Sequence, residues 1–424
     1  MSAPLPTRSI LFTPTANVLA HVSRCVVLAS ELKQRGHRIA FAGTPKYLKD
    51  PAVIGDEAFE CYPLTDFDLD EGLEILRTIS TLPPKRAIEE IIAAELQMLD
   101  RVRPRVVIVD FRPTMYISAR LRRIPLIALL GGHWLYQYAA KPYRAFRTYA
   151  IYPLMKALVG VRGADLVMPP LQRLAMRYKM LPFSAACKRH GLPPKRTPWE
   201  MLIGDYNLIL DTELVSPTKG LPENFKQVGP IFWSPEAPLP QWIEGLDRSR
   251  PIIYVTLGST AHPALFRQIL RIFRATRYEI VMTTGGQIDC QAEEVPRNVR
   301  LEKYLPGERM MEVSDLVIHH GGAGTVYQTI KTGRPSIVVA THFEQEFLGR
   351  VLEEQGAGIF LTMREVMADP ALLSAATAKI LRNPDPYTAN IKRLQEDLQR
   401  YDAVKAAADS IEDFLSRAAG SERP

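Results

Sequence analysis

Cysteine is scarce and scattered in this chain of 424 residues. Cys25, Cys61, Cys187 and Cys290 form no CxxC pair, so neither a disulfide framework nor a zinc knuckle is indicated, and buried reduced thiols are expected. Long apolar runs are missing as well: none approaches the ~20 residues of a membrane span. The opening MSAPLPTRS has no signal-peptide core, so the expected location is the cytoplasm. Short-period repeats and low-complexity tracts are not seen.

Acid is short in one region. Residues 101–200 hold 19 basic and 3 acidic side chains, net +16, whereas residues 236–424 hold 22 and 25, net −3. A block of that sign attracts anionic surfaces or ligands. No recognised nucleic-acid module accompanies it, which leaves a solvated basic face or a peripheral contact with anionic lipid at the inner face of the membrane. Apolar content of 46% and charged content of 23% are those of a globular chain, and the length implies two domains of about 200 residues each.

One stretch organises the rest: DLVIHHGGAGTVYQTIKTGRPSIVVATHFEQ, Asp315 to Gln345. Leu316 to Ile318 reads as a buried strand, the glycines follow at once, Thr325 to Lys331 reads as a helix, and Ile337 to Ala340 as a second strand. Glycines at a strand's end let backbone approach a ligand, and the free amides of the next helix favour a phosphate. Neither a Walker lysine nor a GxGxxG fingerprint is present.

The N-terminal third has the same logic. Ser9 to Thr13 predicts a strand, Val22 to Arg35 a helix and Arg38 to Ala42 the next strand, which implies a parallel, doubly wound sheet. His21 stands at the loop-to-helix junction, where open α/β sheets bind ligands. Arg105 to Val109 predicts a strand ending in Asp110, whose carboxylate can fix an imidazole tautomer. Ile252 to Leu257, running into Gly258-Ser259-Thr260 and a helix from about Pro263 to Ala275, repeats the strand-glycine-helix arrangement. Pro-rich Ser234 to Gln241 reads as a linker.

The stretch from Asp315, together with SILFTPTANVLAHVSRCVVLASELKQRGHRIAF at the start, resembles the GT-B-fold family 1 glycosyltransferases, in particular the bacterial UDP- or dTDP-sugar enzymes of natural products or lipids. The resemblance implies an α/β chain of two doubly wound Rossmann-like domains facing a cleft. An acceptor domain spans 1–233, a linker 234–241 and a nucleotide-sugar domain 242–424, with a helix near 401–415 returning to the first domain. It implies an inverting, metal-independent hexosyltransferase with no cofactor, acting from a nucleotide sugar onto a hydroxyl of a lipophilic acceptor. The metal-free expectation assumes that no Asp-x-Asp dyad is available to hold a cation.

Residue by residue, the resemblance assigns the catalytic base to His21 and its partner to Asp110. Ala20 and Arg24 depart from the family's Gly and Pro, and Arg24 is expected to reach a donor or acceptor oxygen. Tyr304 replaces a base-stacking Trp, and the backbone of Leu305 would read the base edge. Gly307 stands where the family has a Gln. His320, Gly322, Ala323, Gly324, Thr325 and Ser259 would surround the diphosphate, with His319 a structural strand-end residue. Gln328 replaces a ribose-binding Glu, which makes a thymidine-diphospho donor credible. Glu344 and Gln345 would bind sugar hydroxyls. Trp134 to Leu158, with Trp134, Tyr136 and Tyr138, reads as an amphipathic, helically spaced acceptor lining, and His133 is a weaker candidate. A GT-B nucleotide-sugar epimerase and a non-catalytic protein on the same scaffold stay open.

Overall fold

The computed structural model describes residues 9–55, 59–68, 71–72, 74–75, 81–234, 238–258, 262–288 and 295–421. Ser259 and Cys290 lie outside the described residues. The chain packs as two units: Met1–Arg144, Asp165–Trp233 and Tyr401–Pro424 form the first, and Ala145–Ala164 with Ser234–Arg400 the second. The boundary after Trp233 falls where the Pro-rich run begins. The segment 145–164, however, packs with the second unit, so the first domain is not the continuous 1–233 of the sequence reading.

The first unit is a seven-stranded sheet of β1 (Ile10–Pro14), β2 (Ile39–Gly43), β3 (Glu60–Pro63), β4 (Val106–Asp110), β5 (Leu126–Leu130), β6 (Tyr206–Ile209) and β7 (Phe225–Gln227), in the order β3-β2-β1-β4-β5-β6-β7. Every pairing is parallel. Strands such as ILFTP, VVIVD and LIALL are buried along their length because helices cover both faces, which is why they read as unbroken apolar runs. Helix α1 (Leu19–Gln34) buries Val22, Cys25, Leu28 and Leu32 in that core. Helix α2 (Lys85–Val102) precedes β4.

The strand order reverses at β1, so the carboxyl ends of β1 and β4 form a topological switch point, where sheets of this kind open a crevice for ligands. A long helix, α3 (Tyr152–Lys179), is interrupted at Gly160 (φ 70°, ψ 177°), and α4 (Leu181–Arg189) follows it. The C-terminal helix α7 (Ala403–Ser421) seats Ala407, Ala408, Ile411 and Leu415 in the first unit's core. Arg35 and His37, at the end of α1, reach Glu412 at 2.9 Å each.

The second unit repeats the plan with six parallel strands: β8 (Ile252–Thr256), β9 (Glu279–Thr283), β10 (Val299–Glu302), β11 (Leu316–His319), β12 (Ser336–Ala340) and β13 (Gly358–Thr362), ordered β10-β9-β8-β11-β12-β13. Its switch point lies between β8 and β11. Helix α5 (Ala323–Thr332) follows β11, and α6 (Phe343–Glu354) follows β12.

The run from Trp134 to Leu158 is not one amphipathic helix. It forms two short 3-10 turns, Gly132–Trp134 and Tyr136–Tyr138, then irregular chain until α3 begins at Tyr152. Phe146, Tyr149 and Tyr152 are buried, so their spacing serves packing.

Candidate active site

In the first unit the parallel register pairs Pro14 with Asp110. The Thr15 amide donates to the Asp110 carbonyl at 2.9 Å, and the loop then leads into α1. That geometry brings His21 Nδ1 to 2.8 Å from Asp110 Oδ1. His21 is 19% exposed and Asp110 1%, so the imidazole reaches solvent while the carboxylate behind it does not.

Arg24, one helical turn beyond His21, donates from Nε and Nη2 to the two oxygens of Asp110. It thus turns inward onto the carboxylate instead of toward a substrate oxygen. Burial alone would raise the Asp110 carboxyl, but Arg24 and then His21 outweigh it and hold the group at about 2. Asp110 is therefore ionised and Nδ1–H is its natural donor, leaving Nε2 of His21 to receive a proton. The Cys25 thiol, 3.9 Å from Asp110 Oδ2, is pushed up by burial and by that carboxylate, and stays protonated.

Phe111 adopts a left-handed backbone (φ 54°) as the chain leaves β4, a conformation costing roughly 1–2 kcal/mol for a residue with a side chain. The result is a ring parallel to His21, with centroids 5.7 Å apart and planes 15° from each other. Trp134 also packs on Phe111, with centroids 5.0 Å apart and planes tilted by 42°, and His133 lies 5.7 Å from Trp134. Tyr136 and Tyr138 are engaged elsewhere, Tyr136 against Trp199 and Tyr143, and Tyr138 against Phe225. Among the three, Trp134 alone is joined to the His21 cluster by ring contacts among the described residues.

A buried network that sequence reasoning missed fixes the loop before His21. Arg112 pairs with Glu95 on α2 at 2.7 Å and with Asp66, both carboxylates being almost wholly buried. Asp66 Oδ2 accepts the Ala16 amide at 3.0 Å, and Asn17 donates to the Phe67 carbonyl at 2.7 Å. Asp66-Phe67-Asp68 is an Asp-x-Asp dyad, so the assumption that none is present fails. Asp66 is spent on Arg112 and Ala16, and Asp68 Oδ1 accepts the Glu71 amide at 3.1 Å. No group of three or more His, Cys, Asp or Glu arranged to hold a metal occurs among the described residues.

In the second unit the switch point gathers Gly258 after β8 with His319, His320 and Gly322 after β11. His320 is 8% exposed and its Nδ1 has no hydrogen-bond partner among the described residues. Burial, then His342, lowers it to about 4, with a hydrogen bond to the Thr256 backbone opposing, so it is neutral near pH 7. Two glycines make room for the ring: a Cβ on Gly258 would lie 2.6 Å from His320 Cε1, and one on Gly322 would lie 2.5 Å from Nε2. His319 is fully buried and its Nδ1 accepts the Gly321 amide at 3.1 Å, a strand-end role.

Gly322 is the N-cap of α5 without a side-chain cap, so the amides of Ala323, Gly324 and Thr325 open the helix with its positive dipole end. Gln328 sits further along α5 with Oε1 3.1 Å from where a Cβ of Gly307 would be. Tyr304 is 63% exposed, with Lys303 Nζ 5.7 Å from its ring centroid. Leu305 is half-buried beside it.

Gln345 is buried and its Oε1 accepts from both N and Oγ1 of Thr341, at 2.8 and 2.9 Å, so only its amide NH2 is left for a ligand. Glu344 is half-buried in the first turn of α6. The next residue, Glu346, is fully buried and was not anticipated. It accepts the amides of Arg147 and Thr148 at 2.7 Å each, and Arg350 Nε at 2.7 Å. Arg147 also pairs with Glu365, and Phe146 packs on Phe343 at 5.6 Å. Residues 145–149 are thereby fastened to the helix that carries Glu344 and Gln345.

Residues 267–407 match the family described as erythromycin biosynthesis protein CIII-like, C-terminal domain. The chain is 31% identical over 362 residues to the PGL/p-HBAD biosynthesis rhamnosyltransferase of Mycobacterium bovis, covering 84% of this chain and 77% of that one. An inactive PGL/p-HBAD biosynthesis glycosyltransferase of the same species is 31% identical over 269 residues, 62% of this chain and 69% of that one. Among solved structures, the glycotransferase of kitacinnamycin superposes with a TM-score of 0.69 at 19% identity, covering 97% of this chain and 100% of that one. The spinosyn rhamnosyltransferase complexed with thymidine diphosphate gives 0.67 at 16% identity, covering 95% and 100%. Two parallel Rossmann-like units of this order are the architecture of GT-B glycosyltransferases. The chain belongs to the family 1 glycosyltransferases of GT-B fold, of the natural-product and lipid-glycoconjugate type.

Proposed function

We propose that the protein is an inverting hexosyltransferase that moves a sugar from a nucleoside-diphosphate donor to a hydroxyl of a lipophilic small molecule. The observation that carries this is the 2.8 Å contact of His21 with the buried, ionised Asp110 at the first unit's switch point. His21 Nε2 takes the acceptor's hydroxyl proton. The oxygen attacks the anomeric carbon, the bond from that carbon to the diphosphate breaks, and the electron pair leaves with the nucleotide.

The developing charge is met by the amides that open α5 and by His320, in the manner of an oxyanion hole. Thr325, Ser259, Glu344, Gln345 and Gln328 complete the donor contacts in this reading, and Tyr304 stacks on the base. The relative named a rhamnosyltransferase and the neighbour complexed with thymidine diphosphate favour a dTDP-deoxyhexose over a UDP-sugar. Gln328 in place of a carboxylate agrees with that choice. A lipophilic acceptor is collected most readily at a bilayer, so peripheral contact of a cytoplasmic protein through the basic 101–200 segment belongs to the same reading.

The test is transfer from dTDP-rhamnose and UDP-glucose to a phenolic lipid, followed by mass spectrometry and by NMR of the new anomeric centre. Wild-type product with inverted configuration, unaffected by EDTA, is expected, and His21→Ala should lose about 10²–10⁴-fold in rate. Undiminished transfer by His21→Ala would sink the assignment of the base.

A further inference from the structure

Eleven of the fifteen exposed large hydrophobic side chains among the described residues lie between Ile151 and Leu181; the other four are Leu214, Tyr304, Met367 and Leu372. Part of this concentration falls in the first unit, on the end of α3 and the start of α4. There Val167, Leu171, Leu174 and Tyr178 recur at intervals of four and three residues, which is one stripe of α3, and Leu181 opens α4. Leu174 is 62% exposed and Leu181 55%. Leu166, beside the stripe, is 78% exposed.

The buried side of the same helix, by contrast, carries two polar side chains among its apolar ones. Met168, Gln172 and Lys179 are buried, and Gln172 Nε2 and Lys179 Nζ have no hydrogen-bond partner among the described residues. A helix that faces water hides its leucines and shows its amides and ammonium groups. This one buries Gln172 and Lys179 and exposes its leucines beside Arg173 and Arg177, so its outer face suits an apolar medium bounded by anions.

The charge around it names the medium. From Leu166 to Pro198 the sequence has no acidic residue and seven basic ones, Arg173, Arg177, Lys179, Lys188, Arg189, Lys195 and Arg196. Arg173 and Arg177 are exposed beside the leucines, Arg173 Cζ also lying 4.3 Å from the Tyr136 ring centroid, and on α4 Lys188 is exposed while Arg189 pairs with Glu89 of α2. A second copy of this chain would bring the same acid-free stripe and place like charges together. An anionic bilayer supplies both an apolar interior for Leu171, Leu174 and Leu181 and phosphates for the arginines, and Tyr178 suits the boundary between them.

We infer that the outer face of residues 166–181 is a docking surface for an anionic lipid bilayer. The contact deepens the reading of a lipophilic acceptor, yet it is measured without turnover, so failure of one is distinguishable from failure of the other. The full-length protein is sedimented with vesicles of phosphatidylcholine, with and without phosphatidylglycerol. Partitioning should be at least about tenfold greater on the anionic vesicles and should weaken in high salt.

A Leu171→Gln/Leu174→Gln variant should lose about tenfold of that partitioning while keeping its thermal midpoint and its transfer rate to a short, water-soluble acceptor. Because both side chains are exposed, the variant is expected to fold. A separate Arg177→Gln variant should reduce only the salt-sensitive part. Equal partitioning on the two vesicle types, or wild-type partitioning by the double leucine variant, overturns the inference. So does a dimeric mass in solution that the leucine variant converts to a monomer, since a second copy would then be the occupant.

Discussion

Arg24 Nη2 lies 2.8 Å from His21 Nδ1 while both residues reach for the one carboxylate of Asp110. Nδ1 is the donor to Asp110 when His21 acts as a base, so the guanidinium then faces an N–H, and a full cation once the imidazole is protonated. Arg24 thus opposes the charge that catalysis places on His21 while helping to keep Asp110 ionised.

The first prediction follows from that shared carboxylate. Replacing Arg24 by Met removes the guanidinium that does most to hold the Asp110 carboxyl low, so the loss of kcat/KM on acidification should set in at higher pH than in the wild type. Asp110, His21 and the Cys25 thiol are the other titratable groups at this corner among the described contacts. An unchanged profile with reduced kcat at every pH would make Arg24 a purely structural residue.

Asp110 links the site to acid stability. Its folded carboxyl is held at about 2 against an ordinary 3.8, a depressed value. Such a group contributes stability above the ordinary value and loses it as pH falls through about 2, here about 2 kcal/mol. Asp110→Asn removes the carboxylate that Arg24 and His21 share and should cost about 3 kcal/mol at pH 7. Urea midpoints for wild type and variant should converge between about pH 4 and pH 2. A gap that stays constant over that range would show that the carboxylate's ionisation contributes nothing.

Gly322→Ala is a minimal probe of His320. Gly322 has φ −63°, so alanine meets no backbone strain, but its Cβ would stand 2.5 Å from His320 Nε2 and the ring must move. Calorimetry should show dTDP binding weakened about tenfold, or roughly 1.4 kcal/mol, and the thermal midpoint should fall as the displaced ring overpacks its pocket. Unaltered affinity would remove His320 from the diphosphate site.

Tyr304 offers the simplest test of base stacking. It is largely exposed, so Tyr304→Ala removes little packing, and its effect on nucleotide affinity, about 1–3 kcal/mol by comparison with other aromatic platforms, should be nearly clean. Tyr304→Phe should bind as wild type does. Equal affinities for all three proteins would leave the base with another partner.

Much of the scaffold was readable because parallel strands buried on both faces leave long apolar words in the sequence. VVIVD and SIVVA stand within a residue of their sequence-predicted bounds, and Gly258 after β8 and Gly321-Gly322 after β11 mark the second unit's switch-point loops. The departures came where partners lie far apart in sequence. Arg24 looked free to meet a substrate because nothing near it announces that a strand eighty residues on ends at its guanidinium. The aromatics from Trp134 to Tyr152 had helical spacing, but spacing alone cannot tell a helix from an irregular stretch whose rings are buried by packing. Glu346, one residue past a recognised pair, reads as an ordinary surface acid until Arg147 and Thr148 are placed beside it.

That last carboxylate limits how the molecule can be divided. A fragment beginning at Ser234 would keep Glu346 yet discard the two amides it accepts, leaving an interior anion with Arg350 as its remaining recorded donor. Hybrid enzymes spliced at the Pro-rich joint would inherit the same defect whenever the donor of the front half differs around position 147. The useful crossover carries residues 145–164 along with the rear half, as a short loan from one end of the gene to the other.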